Sequence, residues 1–278
     1  MATNDSMSDR FKDYESAAEQ ILPRRLPVLI RLDGNSFSNF TKVNDFQKPF
    51  DSRFERAMEA AATAVLEYCA GAQLAYVQSD EITILLRNDQ THQTDPFLGN
   101  RTQKIASLLA ATASVAFNDS LREWGMSTRA VFDARVFVVP PADVNNAFLW
   151  RQRDAFRNCI QGFAYHRLRD ATGRKTAIRM LHGKSLTQQQ EIIRQELEVE
   201  PSELPTEWLR GRTILRETFE LPLKEVMPAE VYEKMLQAGK VDPDGLATRS
   251  RWTVDREIPE FSQNTDYIER FLAPIKRG

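Results

Sequence analysis

The sequence predicts an α+β fold, an antiparallel sheet of the ferredoxin-like, split βαβ kind with two helices on one face. Three patterns carry that expectation. Apolar runs of strand character stand at "PVLIRLD" (27–33), "AYVQSDEITILL" (75–86) and "RAVFDARVFVVPP" (129–141). An amphipathic run of helix length separates each from the next. The middle run reads as two strands, so the order is strand, helix, strand, strand, helix, strand.

The first strand is an apolar run ending in an acid, Asp33, and a Gly/Ser/Asn loop, "GNSFSNFTK" (34–42), follows it. Asp51 opens the first helix as a capping residue, and Phe54, Met58, Ala61, Val65 and Cys69 recur on one face. "GAQ" (71–73) breaks that helix, the two middle strands flank Gln78–Glu81, and a polar linker runs from Asn88 to Asn100. Ile105, Leu108, Leu109, Thr112, Val115 and Ala116 mark the second helix. Pro140 and Pro141 stop the last strand. Beyond it the chain reads as helix over 142–168 and 185–198, then strand-like around 211–219 and 249–258. Two portions are therefore expected, 1–142 and 143–278.

Composition narrows the class. The 278 residues are 42% hydrophobic and 27% charged, enough to bury a substantial core. No run approaches the roughly 18 apolar residues of a membrane span. The polar, acidic start "MATNDSMSDRFKDYE" lacks the basic and apolar regions of a signal peptide, so a cytoplasmic protein without membrane attachment is expected. Cys69 and Cys159, both in helical patterns, read as small buried hydrophobes of a reducing compartment. Three scattered histidines exclude a His-rich zinc site. A net charge of -2 excludes a chain-wide footprint for nucleic acid and leaves room for a local patch.

Asp80 and Glu81 interrupt strand-forming residues with no Gly, Pro or Asn beside them. In a split βαβ sheet the first strand is central, and facing Cβ atoms on neighbouring strands lie about 5 Å apart. Asp33 and Asp80 are thus expected to converge at one sheet edge. Carboxylates that close repel unless protonated or holding a cation. Mg²⁺ takes one or two carboxylates plus substrate phosphates, and two such ions roughly 3.5–4 Å apart form the clamp of phosphoryl and nucleotidyl transfer. The same acids also read as solvated turn residues or helix caps. The loop Gly34-Asn35-Ser36-Phe37 offers successive backbone N–H groups to phosphate oxygens, with Gly34 permitting close approach. Lys48, in "FQKPFD" (46–51), stands at the other end of that loop.

"RLDGNSF" (31–37), "FQKPFD" (46–51) and "AYVQSDE" (75–81) at these spacings resemble the tRNA(His) guanylyltransferase family and its 3′-to-5′ polymerase relatives. "FDARVFVVP" (132–140), "WRQRDAFRN" (150–158), "LHGKSLTQQQEII" (181–193) and "RGRTIL" (210–215) continue the resemblance, which covers most of 25–216. It implies a polymerase-type palm in 1–142 and two Mg²⁺ ions held by Asp33, the Gly34 carbonyl and Asp80, with Glu81 beside them. It implies GTP and ATP as substrates, tRNA as the acceptor and a homo-tetramer. The 3′-hydroxyl of an incoming nucleotide attacks an activated 5′ phosphate of the tRNA and releases pyrophosphate or AMP. By position in the motifs, Asn35, Ser36 and Phe37 supply backbone donors to phosphate and Ser79 a hydroxyl. Lys48, Arg101 and Lys104 are candidate phosphate contacts.

Two departures from the family pattern stand out. Eukaryotic members carry His-Ile-Asn-Asn where this chain has Phe156-Arg157-Asn158-Cys159. That places it nearer the bacterial and archaeal relatives, which rebuild missing 5′ nucleotides against a template. "QQE" (189–191) stands where many members have Lys-Asn-Glu. The stretch "RLRDATGRKTAIRMLHGK" (167–184), with Arg167, Arg174, Lys175 and Arg179, is basic, and Arg210 and Arg212 follow beside Trp208. Beside a polymerase-like core these read as RNA contacts in 143–278. Untemplated addition of guanosine to tRNA(His) is the alternative activity. A palm-fold nucleotide cyclase or dinucleotide synthase, and a non-catalytic RNA-binding protein, are the alternative classes.

Overall fold

The computed structural model describes residues 6–90, 93–242 and 244–273. The first five residues of the polar start and residues 91–92 of the linker lie outside them. Six strands form one antiparallel sheet in the order β4-β1-β3-β2-β5-β6: β1 Val28–Gly34, β2 Ala72–Gln78, β3 Glu81–Leu86, β4 Phe132–Val138, β5 Arg212–Pro222 and β6 Leu246–Asp255. The first four strands are the expected split βαβ core. β5 joins its edge through Leu74–Val77, so the C-terminal portion extends the same sheet. Beyond Leu215, β5 pairs only with β6.

The helices are α1 Met7–Ser16, α2 Phe37–Val43, α3 Ser52–Tyr68, α4 Thr102–Arg122, α5 Val144–Thr172, α6 Arg174–Leu181, α7 Leu186–Leu197 and α8 Thr206–Arg210, followed by short helices beyond β5. The Asp51 carboxylate accepts from the Arg53 amide at 2.9 Å and caps α3 as its sequence foretold. α3 buries Ala57, Met58, Ala61, Ala62, Val65 and Leu66. α4 buries an i, i+4 stripe, Ile105, Leu109, Ala113, Phe117 and Leu121. Val115, placed on that face by the sequence reading, points to solvent, because the stripe keeps closer to one side of the helix than the wider apolar pattern implied.

Both faces of the central strands β1, β2 and β3 are covered, which is why these strands read as nearly unbroken apolar runs, whereas β5 beyond Ile214 and β6 are largely exposed. Val28, Ile30 and Leu32 pack into the α3–α4 layer. Leu29, Leu74, Tyr76 and Leu85 pack against Val144 and Phe148 of α5 and against Ile258, Phe261 and Ile268. The expected loop 34–42 is corrected to a helix, α2. Its Ser and Asn content hid an i, i+3 pair of rings, Phe37 and Phe40, whose centroids lie 5.2 and 6.0 Å from that of Phe117. α1 was invisible in the polar start and buries no residue. Among the described residues, no helix is long and apolar enough to cross a membrane.

Candidate active site

The ends of β1, β3 and β4 meet at one edge of the sheet. Asp33 stands directly opposite Glu81 on one side and Asp133 on the other. Asp80 lies in the tight β2–β3 turn, where Ser79 takes a left-handed φ of 47°. The Gly34 amide donates to the Asp80 carbonyl at 3.0 Å, and the Ser79 hydroxyl donates to the Asp80 carboxylate at 3.0 Å. Burial pushes the Asp80 carboxyl above its ordinary value. Its own amide and the Ser79 hydroxyl pull it down, the Asp33 charge pushes it further up, and Lys48 opposes that. A buried carboxyl whose ionisation is disfavoured by a neighbouring carboxylate is, with that neighbour, a donor set that suits a hard cation shared with substrate phosphates. Among the described residues no three acidic, His or Cys side chains gather into a closed metal cage.

Glu81 is placed differently from the other two acids. Its carboxylate is buried and ion-paired to Arg151 of α5 at 2.9 Å. Burial lifts this carboxyl, and the Arg151 and Arg31 charges pull it down. Asp80 is in the turn, while Glu81 is the first β3 residue, on the sheet face it shares with Asp33, and there Arg151 of α5 engages it.

The loop after β1 also differs from its sequence reading. The Asn35 amide donates to the Val131 carbonyl at 2.9 Å, continuing the β1–β4 ladder, so it is not free for phosphate. The Gly34 position is filled by protein: a Cβ there would lie 2.4 Å from the Phe37 ring. The Phe37 ring is core, and what its segment offers a ligand is the amides of Phe37 and Ser38 in the first turn of α2, the Asn39 amide being bonded to the Ser36 carbonyl at 3.0 Å. Ser36 and the Asn35 side chain remain exposed beside them.

Lys48 enters the site from the loop before α3. Its ammonium donates to the Thr41 hydroxyl at 2.8 Å. Burial lowers its pKa, and Asp80 and Asp51 oppose that shift. It lines a cleft of about 210 Å³ with Ser79, Asp80, Asn158, Phe50 and Trp208. Phe50 and Trp208 stack with centroids 4.1 Å apart and planes at 15°, and the Trp208 indole donates to Glu55 at 3.1 Å. Phe50 lies within the motif "FQKPFD" but is not among the residues the sequence reading marks, and Glu55 had no signal in the sequence, since an acid near a helix start is ordinary there.

The remaining basic candidates divide. Arg101 and Lys104 do not reach this site. Asn100 bonds Asn88 beside the β3 end that faces Val28, and the five steps from Val28 to Asp33 put the acids about 16 Å away along the sheet. Arg101 instead pairs with Glu19 at 3.1 Å. Arg212 is buried, pairs with Glu59 at 2.7 Å and donates to the Glu55 carbonyl at 3.0 Å, so it holds the fold together and is not an RNA-facing residue. Arg210 pairs with Glu260 at 3.1 Å. Arg167 and Arg174, by contrast, line an open basin that shares Lys48, Phe50 and Trp208 with the cleft. Lys175 and Arg179 are exposed on α6.

With this geometry in place, similarity to known proteins carries weight. The family model described as Thg1, tRNAHis guanylyltransferase, matches residues 8–140. A probable tRNA(His) guanylyltransferase of Drosophila melanogaster is 30% identical over 216 residues, 73% of this chain and 72% of the fly protein. The chain belongs to the tRNA(His) guanylyltransferase family. That places it among nucleotidyltransferases, and its sheet is the family's palm-type fold. A bacterial tRNA(His) guanylyltransferase-like protein solved in complex with ATP superposes with a TM-score of 0.78 at 32% identity, over 96% of this chain and 99% of the other. One solved in complex with GTP superposes at 0.71. An uncharacterised protein of Acanthamoeba polyphaga mimivirus is 32% identical over 191 residues, 59% of this chain and 63% of its own length. The chain thus spans under two thirds of that viral relative.

Proposed function

We propose that this guanylyltransferase-family protein is a 3′-to-5′ nucleotidyltransferase that rebuilds missing nucleotides at the 5′ end of tRNA against the opposing strand. One observation carries the templated reading. Asn158 and Cys159 line the cleft where eukaryotic members carry the two asparagines of their His-Ile-Asn-Asn run, so this wall lacks one asparagine, and Phe156, in place of the histidine, packs against the apolar cluster behind it. Relatives of the bacterial type, solved with ATP and with GTP, align over 96% of the chain.

In this reading Asp33, Asp80 and the Gly34 carbonyl hold two Mg²⁺ ions. When bound, Mg²⁺ lowers the pKa of the attacking hydroxyl and neutralises the leaving phosphate. The chain's own groups do the positioning. Lys48, the Ser79 hydroxyl and the first turn of α2 (Phe37 amide, with Ser36 and Asn35 at its lip) hold the phosphates, and the Phe50–Trp208 pair offers a face for a base. The nucleotide's 3′-oxygen bonds to the activated 5′ phosphorus as the bond to pyrophosphate or AMP breaks. Arg167 and Arg174 at the basin, with Lys175 and Arg179 beyond it, take the RNA backbone. The tetramer expected of the family belongs to the same proposal and is tested by light scattering.

The deciding assay supplies Mg²⁺ and labelled nucleotides to a 5′-triphosphorylated tRNA lacking its first nucleotide, and separately to full-length tRNA(His). Templated growth of the shortened tRNA is expected. Addition confined to tRNA(His), whatever base stands opposite, would replace repair with guanosine addition. Cyclic or linear dinucleotides with no extended RNA would hand the site to a cyclase-like activity.

A further inference from the structure

Glu81 adjoins Asp80 in sequence and faces Asp33 across the β1–β3 pair. Directly opposed residues present their side chains on the same face of a sheet, with Cβ atoms about 5 Å apart. Left to itself, Glu81 would be one more free carboxylate at the edge read above as the cation site, beside Asp33, Asp80 and the exposed Asp133, which lies 3.8 Å from Arg135. The structure gives it a dedicated counter-ion. Arg151 Nη1 donates to both Glu81 oxygens, at 3.2 and 2.9 Å. The side chains of the pair are 8% and 10% exposed, so neither is free to follow a passing ion.

Both Arg151 Nη atoms and the face of its guanidinium are engaged, while its buried Nε has no hydrogen-bond partner among the described residues. Its Nη2 pairs with Asp154, one turn along α5, and Asp154 also pairs with Arg157. Its guanidinium lies over the Trp150 ring with Cζ 3.5 Å from the centroid, and Arg31 lies over the same ring at 5.5 Å. A planar guanidinium fixed by two acids and a ring presents one orientation to Glu81. The same helix carries Ala155 and Asn158 into the cleft wall. The Arg151–Glu81 pair therefore fastens that wall to the strand that follows Asp80.

We propose that Arg151 is a positioning residue that holds Glu81 out of the cation site, leaving Asp33 and Asp80 as the acids that take the ion. This rests on the two-acid Mg²⁺ reading above. It explains why the adjacent acids Asp80 and Glu81 have opposite fates, and it gives a function to an arginine that lines neither the cleft nor the basin. Hard-cation affinity follows the number and charge of the carboxylates offered, so one more free acid would change where and how tightly the ion sits.

The test reads metal binding directly, with Mn²⁺ as the probe. The full-length protein is titrated without nucleotide and free Mn²⁺ is followed by electron paramagnetic resonance. Glu81→Gln is expected to bind within about twofold of the parent, because the side chain is not a ligand, while Asp80→Asn loses at least about tenfold. Arg151→Met is expected to bind about threefold to tenfold tighter, since it removes a cation and frees a carboxylate. Adding Glu81→Gln to Arg151→Met returns affinity to the parent's. Arg151→Met also lowers kcat more than it raises KM for the nucleotide, and Arg151→Lys, which keeps the charge, recovers part of the lost kcat. Weakening by Glu81→Gln that matches Asp80→Asn would make Glu81 a ligand and overturn the proposal, a comparison that stands even where Arg151→Met does not fold. Unchanged affinity in folded Arg151→Met would reduce Arg151 to a packing role. Unchanged Mn²⁺ binding in Asp80→Asn would remove the two-acid reading first, and the inference with it.

Discussion

The amide of Gly34 donates to the carbonyl of Asp80 at 3.0 Å, so the residue after one acid of the site is tied to the backbone of the other. The bond joins the end of β1 to the β2–β3 turn and sets the relation of Asp33 to Asp80 with neither side chain taking part. Both carboxylates are left for chemistry. Backbone fastening of this kind holds a site ready without a rearrangement at the moment of reaction.

It follows that either carboxylate can be removed with the frame intact. Asp33→Ala and Asp80→Ala are each expected to lower 5′ addition by about 10³-fold or more, while circular dichroism and the melting temperature stay close to the parent's. Among the described residues Asp33 forms a single ion pair, long and exposed, with Arg135 at 3.7 Å, so little stability goes with it. Near-normal turnover in either variant would end the two-acid assignment.

Gly34 supports the site by omission. A Cβ there would sit 2.4 Å from the Phe37 ring, and that ring packs on Phe40, Phe54, Phe117 and Phe132 at centroid distances of 5.0 to 5.9 Å. Gly34→Ala is expected to cost about 1–3 kcal/mol by overpacking and to reduce activity by moving the start of α2. Denaturant melts of Gly34→Ala, Phe37→Leu and the pair check the cause. If the ring is what the methyl meets, the double variant loses less than the sum of the two. Full additivity would locate the strain elsewhere.

How far the sequence foretold this site depends on the range of the interactions involved. Asp33, Asp80 and the four-strand core were legible because periodicity and strand ends are local features. Asp51 as a helix cap was legible for the same reason. The Arg151–Glu81 pair joins residues 70 positions apart, and nothing near either residue announces the other. Arg212 sits in a basic cluster of the sequence, yet folding buries it against Glu59 because β5 adds to the edge of the palm sheet. Arg101 was misplaced by direction: α4 begins at the end of the sheet away from the acids. The use of the Asn35 amide by Val131 is a backbone register, which side-chain identity does not encode.

Ionised Asp80 is a cost to the empty fold, and the sign of its pH dependence is fixed. Its folded pKa lies above its ordinary 3.8. The folded state therefore keeps its proton over an interval where the unfolded chain has lost it, and stability falls as pH rises through that interval. Above the folded value the penalty is complete; below the ordinary value it is absent. Asp80→Asn carries no such penalty. With EDTA present it is expected to be more stable than the parent at pH 7 by about 1 kcal/mol, the gap closing as pH is lowered toward 3.8. Melting both proteins across that range checks it. A gap that widened at low pH would mean the carboxylate is stabilised in the fold, not penalised.

The exposed cations of α6 give the last expectation. Arg174 lines the basin beside the cleft, and Lys175 follows it at the helix start. Arg167, which shares the basin, lies with its guanidinium 5.6 Å from the Phe163 ring centroid. None of these three has an acidic partner within ion-pair distance among the described residues, unlike Arg210 and Arg212. Reversing two of them in Arg174→Glu/Lys175→Glu is expected to weaken tRNA binding at least about tenfold and to flatten its log–log salt dependence by about 1–2 units, since each phosphate contact contributes close to one counterion. Nucleotide binding is expected to stay within about twofold, because neither side chain lines the cleft and exposed charges are screened by salt. Filter binding of tRNA over a salt series, beside calorimetry with GTP, separates the two. Equal loss of both ligands would mean that α6 supports the cleft and the backbone of the tRNA runs elsewhere.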